Sequence, residues 1–181
     1  SVAVSASKGI ILLGGPSRHF AWQPEKLIEQ IDRILKRDKD ISWTIANSRR
    51  TPDIFSQLVE TRLKRKIVYW SDVDKDWLEN ELAQCGSTWV TPDSISMVYE
   101  ALTTQGRVGI FDMNPLGGGG KVSSSIDRLV KAGRLGRSSL GSLLQQLETF
   151  EPLQESHRCA QHIIDTWFKK SKSGYVNRTT A

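Results

Sequence analysis

The residues of this sequence that are best suited to bind a phosphate group lie in three short polar motifs. The first motif runs from Gly14 to Arg18. Its two adjacent glycines, Gly14 and Gly15, would let the backbone approach a phosphate closely, and the side chains of Ser17 and Arg18 could donate hydrogen bonds to it. A tight surface turn is the alternative interpretation of this motif.

The second motif comprises Asn47, Ser48, Arg49 and Arg50, which directly precede a helix start signal at Thr51. We interpret Thr51 as the N-cap of that helix. Two guanidinium groups beside a helix N-terminus could neutralise a pyrophosphate or a carboxylate. Solvated surface arginines remain the alternative.

The third motif opens another predicted helix and contains Ser94, Ser96 and Glu100. Ser94 or Ser96, together with the free amides of the helix end, could face a phosphate. The Glu100 carboxylate could then reach the hydroxyls of a ribose. The alternative is that Asp93 and Ser94 only cap the helix and that Glu100 is solvated.

All three motifs follow predicted strands in a chain where strand and helix patterns alternate, which is typical of a parallel sheet with helices on its faces. In such sheets ligands bind outside the carboxyl ends of the strands. The predicted strands are residues 9–13, 41–46, 66–70, 88–90 and 107–111. The predicted helices begin near 24 and at 51, and occupy 77–85, 94–103, the region around 126–131, and 155–170.

The composition indicates one domain rather than two, because 181 residues suffice for a single α/β core. We predict this domain over residues 1–170 and a polar, frayed tail over 171–181. The net charge of +5 favours anionic partners. Cys85 and Cys159 lack metal-ligand spacing, which indicates reduced thiols and no metal site. The longest apolar run is too short to cross a bilayer.

The sequence lacks the motifs that several other functions require. A short-chain dehydrogenase site needs Gly-x-Gly-x-x-Gly and Tyr-x-x-x-Lys, and neither is present. The glycines before Lys121 resemble a P-loop, but Pro115 replaces its leading glycine and Val122 replaces its Ser or Thr. Nucleic acid is disfavoured as a partner because the aromatic residues do not interleave with the basic ones.

In their order and spacing, the three motifs resemble the mitochondrial fission ELM1 family, whose bacterial members often carry the label nucleoside-diphosphate-sugar epimerase. The fission role of the plant members implies a second possibility, a module without catalytic activity that recruits a protein or a membrane. A basic segment, Arg62 to Lys66, could supply the recruiting face.

The segment from Val90 to Phe111 is also similar to the donor-binding half of GT-B glycosyltransferases such as the peptidoglycan enzyme MurG. This resemblance implies a Rossmann-like parallel sheet with helices on both faces, of the GT-B C-terminal type. It gives Glu100 the ribose-binding role and places Ser94 and Ser96 by the diphosphate. The acceptor-binding N-terminal domain of such enzymes would be missing from this chain, so no catalytic residue and no sugar contact can be assigned.

The sequence therefore favours a domain that binds a nucleoside-diphosphate sugar as ligand, with no tightly bound cofactor, as one half of a glycosyltransferase-like protein. The alternative is the interaction module. For either function we expect a cytoplasmic protein, free or peripheral to a membrane. The predicted nucleotide-binding residues are Gly14, Gly15, Ser17, Arg18, Asn47, Ser48, Arg49, Arg50, Ser94, Ser96 and Glu100.

Overall fold

The computed structural model describes residues 3–117 and 120–140. This part of the chain alternates between strands and helices, as the sequence predicts. Its strands are β1 (Ser5–Leu12), β2 (Ser42–Ala46), β3 (Ile67–Val68), β4 (Cys85–Val90), β5 (Arg107–Ile110) and β6 (Gly136–Arg137). Its α-helices are α1 (Pro24–Arg37), α2 (Asp53–Leu63), α3 (Trp77–Gln84), α4 (Ile95–Leu102) and α5 (Gly120–Lys131).

The six strands form one parallel sheet in the order β3-β2-β1-β4-β5-β6. Ile11 of β1 lies between Ile45 of β2 and Trp89 of β4, so β1 and β4 are the central strands. The strand order reverses between them, and such a reversal opens a crevice at the carboxyl ends of the strands. The Rossmann-like α/β fold predicted from the sequence is confirmed.

Helices cover both faces of the sheet, which explains why the carboxyl half of β1, from Gly9 to Leu12, is buried and without polar side chains. Ile11 and Leu13 are fully buried and belong to a core that β1 shares with α1 and α2. Ile10 and Leu12 point to the opposite core, which contains residues of α3, α4 and α5. Packing in these two cores fixes the positions of the helices on the sheet and thereby the positions of the loops at its carboxyl edge.

Some element boundaries differ from the sequence prediction. The third strand is only Ile67–Val68, because a short 3₁₀ helix begins at Trp70. Cys85, predicted as the end of a helix, opens β4 and is fully buried beside β1. The sequence did not reveal β6, since two residues without an apolar pattern give no periodic signal.

The prediction that Thr51 caps α2 is wrong. The helix begins at Asp53, Pro52 occupies the N-cap position, and no side chain makes a cap hydrogen bond. The helix predicted at 155–170 and the tail at 171–181 lie outside the described residues. Within the described residues, no helix is both long and apolar enough to cross a membrane.

A polar network around Asp112 ties the carboxyl end of β5 to β6 and α1. The Asp112 carboxylate accepts hydrogen bonds from the Ser139 amide at 2.6 Å, the Ser138 hydroxyl at 2.9 Å and Arg137 at 3.2 Å. The buried side chain of Gln30 holds the Asp112 backbone at both its N–H and its carbonyl. Partial burial works to raise the pKa of Asp112, but these hydrogen bonds outweigh it, and the pKa lies below its usual value.

Candidate functional site

The glycine turn after β1 packs directly against the turn after β4. The Gly14 N–H donates a hydrogen bond to the Thr91 hydroxyl at 2.7 Å, and the Gly15 N–H donates one to the Asp93 carboxylate at 2.9 Å. The glycine motif predicts that this stretch of backbone approaches a phosphate. In this structure the two amides are already paired within the chain, so the turn is closed by its own neighbours.

The loop after β2 joins the same cluster through Thr51. The Thr51 hydroxyl lies 2.6 Å from the Gly14 carbonyl oxygen and 2.9 Å from that of Leu13, and it accepts a hydrogen bond from the Ser48 N–H at 2.9 Å. A side chain that the sequence indicated as a helix cap therefore holds two strand-end loops together.

Arg50 and Asp93 complete the contact between the second and third motifs. The Arg50 guanidinium lies 2.8 Å from Asp93 Oδ2, the oxygen that also accepts the Gly15 N–H. The Asp93 side chain is fully buried, whereas that of Arg50 is 44% exposed. The other carboxylate oxygen, Asp93 Oδ1, is buried without a hydrogen-bond partner.

Asp93 is a candidate functional residue that the sequence does not reveal, because its position just before a predicted helix is typical of a capping residue. The adjacent glycines are the sequence feature that could have indicated it, because glycines allow another group to approach the backbone closely. A Cβ atom on Gly14 would collide with the Asp93 carboxylate, and one on Gly15 would collide with the Arg50 carbonyl. Both glycines are thus required by the close approach of the two neighbouring loops, rather than by a positive φ angle.

Ser17 and Arg18 form a local turn. The Ser17 hydroxyl accepts hydrogen bonds from the amides of His19 and Phe20 at 3.1 and 3.4 Å, and Arg18 donates to the His19 ring at 3.4 Å. This turn pairs with the loop after β5 through a bridge between Phe20 and Pro115. It therefore lies toward the β5 side of the carboxyl edge.

A cavity of about 650 Å³ opens beside this cluster, where the ends of β1, β2 and β3 meet α3 and the start of α4. Four of the predicted site residues line it: Asn47, Ser48, Arg49 and Ser96. The rest of its lining is largely apolar and consists of Leu12, Ala46, Val68, Trp70, Val73, Asp74, Trp77, Leu78 and Met97.

Arg49 and Trp70 form one wall of this cavity. The Arg49 guanidinium lies over the Trp70 ring, 5.2 Å from its centroid, in a cation–π arrangement. Trp70 remains 45% exposed, and Asn47 fixes its backbone by accepting the Trp70 N–H at 2.8 Å. Because the Asn47 amide group also donates to Ser56 at 3.2 Å, Asn47 acts here as a support for the wall.

The third motif extends from this cavity along α4. Ser94 lies at the N-cap position without a side-chain cap bond, and Ser96 borders the cavity. Glu100 follows Ser96 by four residues and so lies on the same face of the helix, one turn further. The residue is exposed overall, yet desolvation of its carboxyl group raises its pKa, and the charge of Glu79 raises it further.

Trp22 follows the glycine turn, and its ring packs against that of Phe55. The two ring centroids are 5.1 Å apart at an interplanar angle of 73°. Trp22 packs with the core on the α1 and α2 face, whereas Trp70 is the tryptophan with an exposed ring at the cavity wall.

The structure therefore gathers seven of the eleven predicted residues in two groups at the carboxyl edge of the sheet. One contains Gly14, Gly15 and Arg50, packed with Asp93, and the other contains Asn47, Ser48, Arg49 and Ser96, which line the cavity. Ser17, Arg18, Ser94 and Glu100 belong to neither group. Among the described residues, no group of three or more His, Cys, Asp or Glu side chains could hold a metal ion.

A protein-family model described as Mitochondrial fission ELM1 matches residues 2–167, which is most of the chain. The chain therefore belongs to the mitochondrial fission ELM1 family. No curated protein matches it.

Proposed function

We propose that this ELM1-family domain binds a nucleoside diphosphate, in the form of a nucleotide-sugar, at the carboxyl edge of its sheet. The observation that carries the proposal is the 650 Å³ cavity at the ends of β1, β2 and β3, lined by Asn47, Ser48, Arg49 and Ser96 and bordered by the β1–β4 crevice. A cavity of this size falls in the usual range for a small-molecule ligand.

The lining of the cavity suits a nucleoside better than a purely charged ligand. Its floor is formed by the apolar side chains at the strand ends, including Leu12 and Val68. Trp70 offers a flat ring for a base, and aromatic rings stack on bases without strong preference among them. Arg49, already held over that ring, places a positive charge at the same wall.

The polar groups around the cavity are arranged for the remainder of such a ligand. Arg49 and Arg50 are both exposed and lie in the loop after β2, so they can supply positive charge to a diphosphate. Glu100 lies one helical turn beyond Ser96, where its carboxylate could accept hydrogen bonds from ribose hydroxyls. The proposal thus retains the assignment of Glu100 and adds Trp70.

Calorimetric titration with UDP, GDP and their sugars tests this function. We expect binding that weakens about tenfold when Arg49 is replaced by Ala, since one charge-assisted hydrogen bond is lost. Arg65→Ala removes the same charge at the opposite edge of the sheet and should leave the affinity within about twofold, as expected for a distant screened charge. Absence of binding to every nucleotide would remove the proposal.

Two further variants test the aromatic wall and the ribose contact. Trp70→Ala should weaken binding, whereas Leu116→Ala should not, although both side chains are 45% exposed. Glu100→Ala should also weaken binding, and Glu29→Ala, which removes an exposed carboxylate from α1, serves as its control. Equal effects within either pair would contradict the proposed placement of the ligand.

The second candidate function is recruitment of an anionic protein or membrane surface. Lys64, Arg65 and Lys66 are exposed and form no ion pair with any other described residue. They precede β3 and therefore lie at the amino edge, away from the cavity. Co-sedimentation with anionic vesicles that is lost on replacing these three residues by Gln, yet unaffected by Arg49→Ala, would support this function.

A further inference from the structure

The position beside the Gly14 and Gly15 amides is occupied by a carboxylate of the chain itself. Asp93 Oδ2 accepts both the Gly15 N–H and the Arg50 guanidinium. Strand-end amides and an arginine are groups that bind the phosphate of a nucleotide in many parallel sheets. Here Asp93 engages the Gly15 amide and Arg50, while the Gly14 amide donates to Thr91.

We propose that Asp93 competes with the phosphate of the ligand for Arg50, so that binding requires Arg50 to move from Asp93 to the ligand. This inference rests on the proposed nucleotide-binding function. It makes Asp93 a specificity-determining residue, because only a ligand with enough negative charge can draw Arg50 away from a carboxylate.

The burial of the two partners shows which one can move. The Asp93 side chain is fully buried, wedged against Gly14 and held by the Gly15 amide, so it stays in place. The Arg50 side chain is 44% exposed and reaches Asp93 with one guanidinium nitrogen. Its other guanidinium nitrogens make no hydrogen bond to another described residue.

The unpartnered oxygen is the second observation. Asp93 Oδ1 is buried without a hydrogen-bond donor, and a buried carboxylate normally satisfies both oxygens. Both donors to Asp93 among the described residues, the Gly15 amide and Arg50, lie on Oδ2, so Arg50 shares its acceptor oxygen with an amide that continues to hold the carboxylate when Arg50 moves.

The test is calorimetric titration of the full chain with UDP and with inorganic pyrophosphate. Asp93→Asn retains the shape and the acceptor oxygen but removes the negative charge that holds Arg50, and we expect UDP to bind about tenfold more tightly. Asp38→Asn is the matched control, because Asp38 is also a buried carboxylate paired with an arginine, at 2.8 Å from Arg37, but lies at the end of α1. The UDP affinity of the Asp38→Asn variant should equal that of the natural chain.

A double variant separates the release of Arg50 from a general gain of positive potential. In the Arg50→Gln background, Asp93→Asn should give no increase in affinity, because no guanidinium is left to release. An equal increase in both backgrounds would overturn the inference. The double variant carries no unpaired buried carboxylate, so if Arg50→Gln alone unfolds, the double variant is compared with Asp93→Asn instead, and equal UDP affinities of these two variants would overturn the inference.

The result also distinguishes this inference from the function on which it rests. Binding of UDP that depends on Arg49 but is unchanged or weakened by Asp93→Asn would refute competition by Asp93 and leave nucleotide binding intact. If neither the natural chain nor Asp93→Asn binds UDP or pyrophosphate, both proposals fall.

Discussion

Two buried threonines allow the contact between the strand-end loops to be measured. The Thr51 hydroxyl bridges the Ser48 N–H and the Gly14 carbonyl oxygen. The Thr88 hydroxyl on β4 is also buried, at 0% exposure, but has no hydrogen-bond partner. Replacement of either residue by Val preserves its shape and removes only the hydroxyl, so the pair isolates the hydrogen bonds of Thr51.

The two substitutions should change the free energy of unfolding in opposite directions. Thr51→Val removes two hydrogen bonds of about 1 kcal/mol each, so the free energy of unfolding should fall by about 2 kcal/mol. In a chain of this size, that corresponds to a Tm lower by roughly 4–8 °C. Thr88→Val removes a desolvated hydroxyl that gains nothing in return and should raise the free energy of unfolding by up to about 1 kcal/mol.

Urea unfolding of the full chain, followed by tryptophan fluorescence, measures both variants against the natural sequence. The reasoning is refuted if Thr51→Val and Thr88→Val change the free energy of unfolding equally. Thr51→Val should also weaken UDP binding, because the β2 loop that carries Arg49 and Arg50 loses its attachment to the β1 turn.

The remaining predictions concern stability and reactivity. Lys64 ends α2 with a φ angle of 51°, so Lys64→Gly should raise the free energy of unfolding by about 1 kcal/mol, and a loss of stability in urea unfolding would contradict this. Because the pKa of Asp112 is lowered in the folded state, its ionised carboxylate stabilises the fold fully above the unfolded-state pKa. This contribution is lost as the pH falls from the unfolded-state pKa through the lower folded-state pKa. In Asp112→Asn, the free energy of unfolding should therefore decrease less steeply as the pH is lowered. Burial raises the pKa of the Cys85 thiol to about 11, so in a Cys159→Ser variant native protein should not react with a thiol reagent at pH 8 until it is unfolded, and rapid labelling would refute its burial.

The sequence was sufficient to predict the architecture because its strongest signals are periodic. The continuous apolar run of β1 identifies a strand buried on both faces, and α1 shows its helical stripe clearly, with Leu27, Ile31 and Ile34 all buried. Short elements such as β3 and β6 carry too few residues for any period. Their limits are set by pairing with β2 and β5, which the local sequence does not encode.

The sequence predicts where the candidate site lies, but not which of its residues contact one another. That the three motifs follow strand ends was sufficient to place them at one edge of a parallel sheet. The sequence could not show that Thr51 turns back toward Gly14, or that Asp93 fills the space beside the glycines, because both contacts join residues about 40 or more positions apart. Trp70 was missed for a similar reason, since only the 3₁₀ turn after β3 exposes its ring at the cavity.

The most direct test of ligand binding at the carboxyl edge is amide chemical-shift mapping of the ¹⁵N-labelled chain during titration with UDP. We predict that the largest changes occur at residues 47–51, 70–78 and 94–97, which surround the cavity and its arginines. Changes concentrated at residues 64–66, at the amino edge, or no change at saturating UDP, would contradict the account.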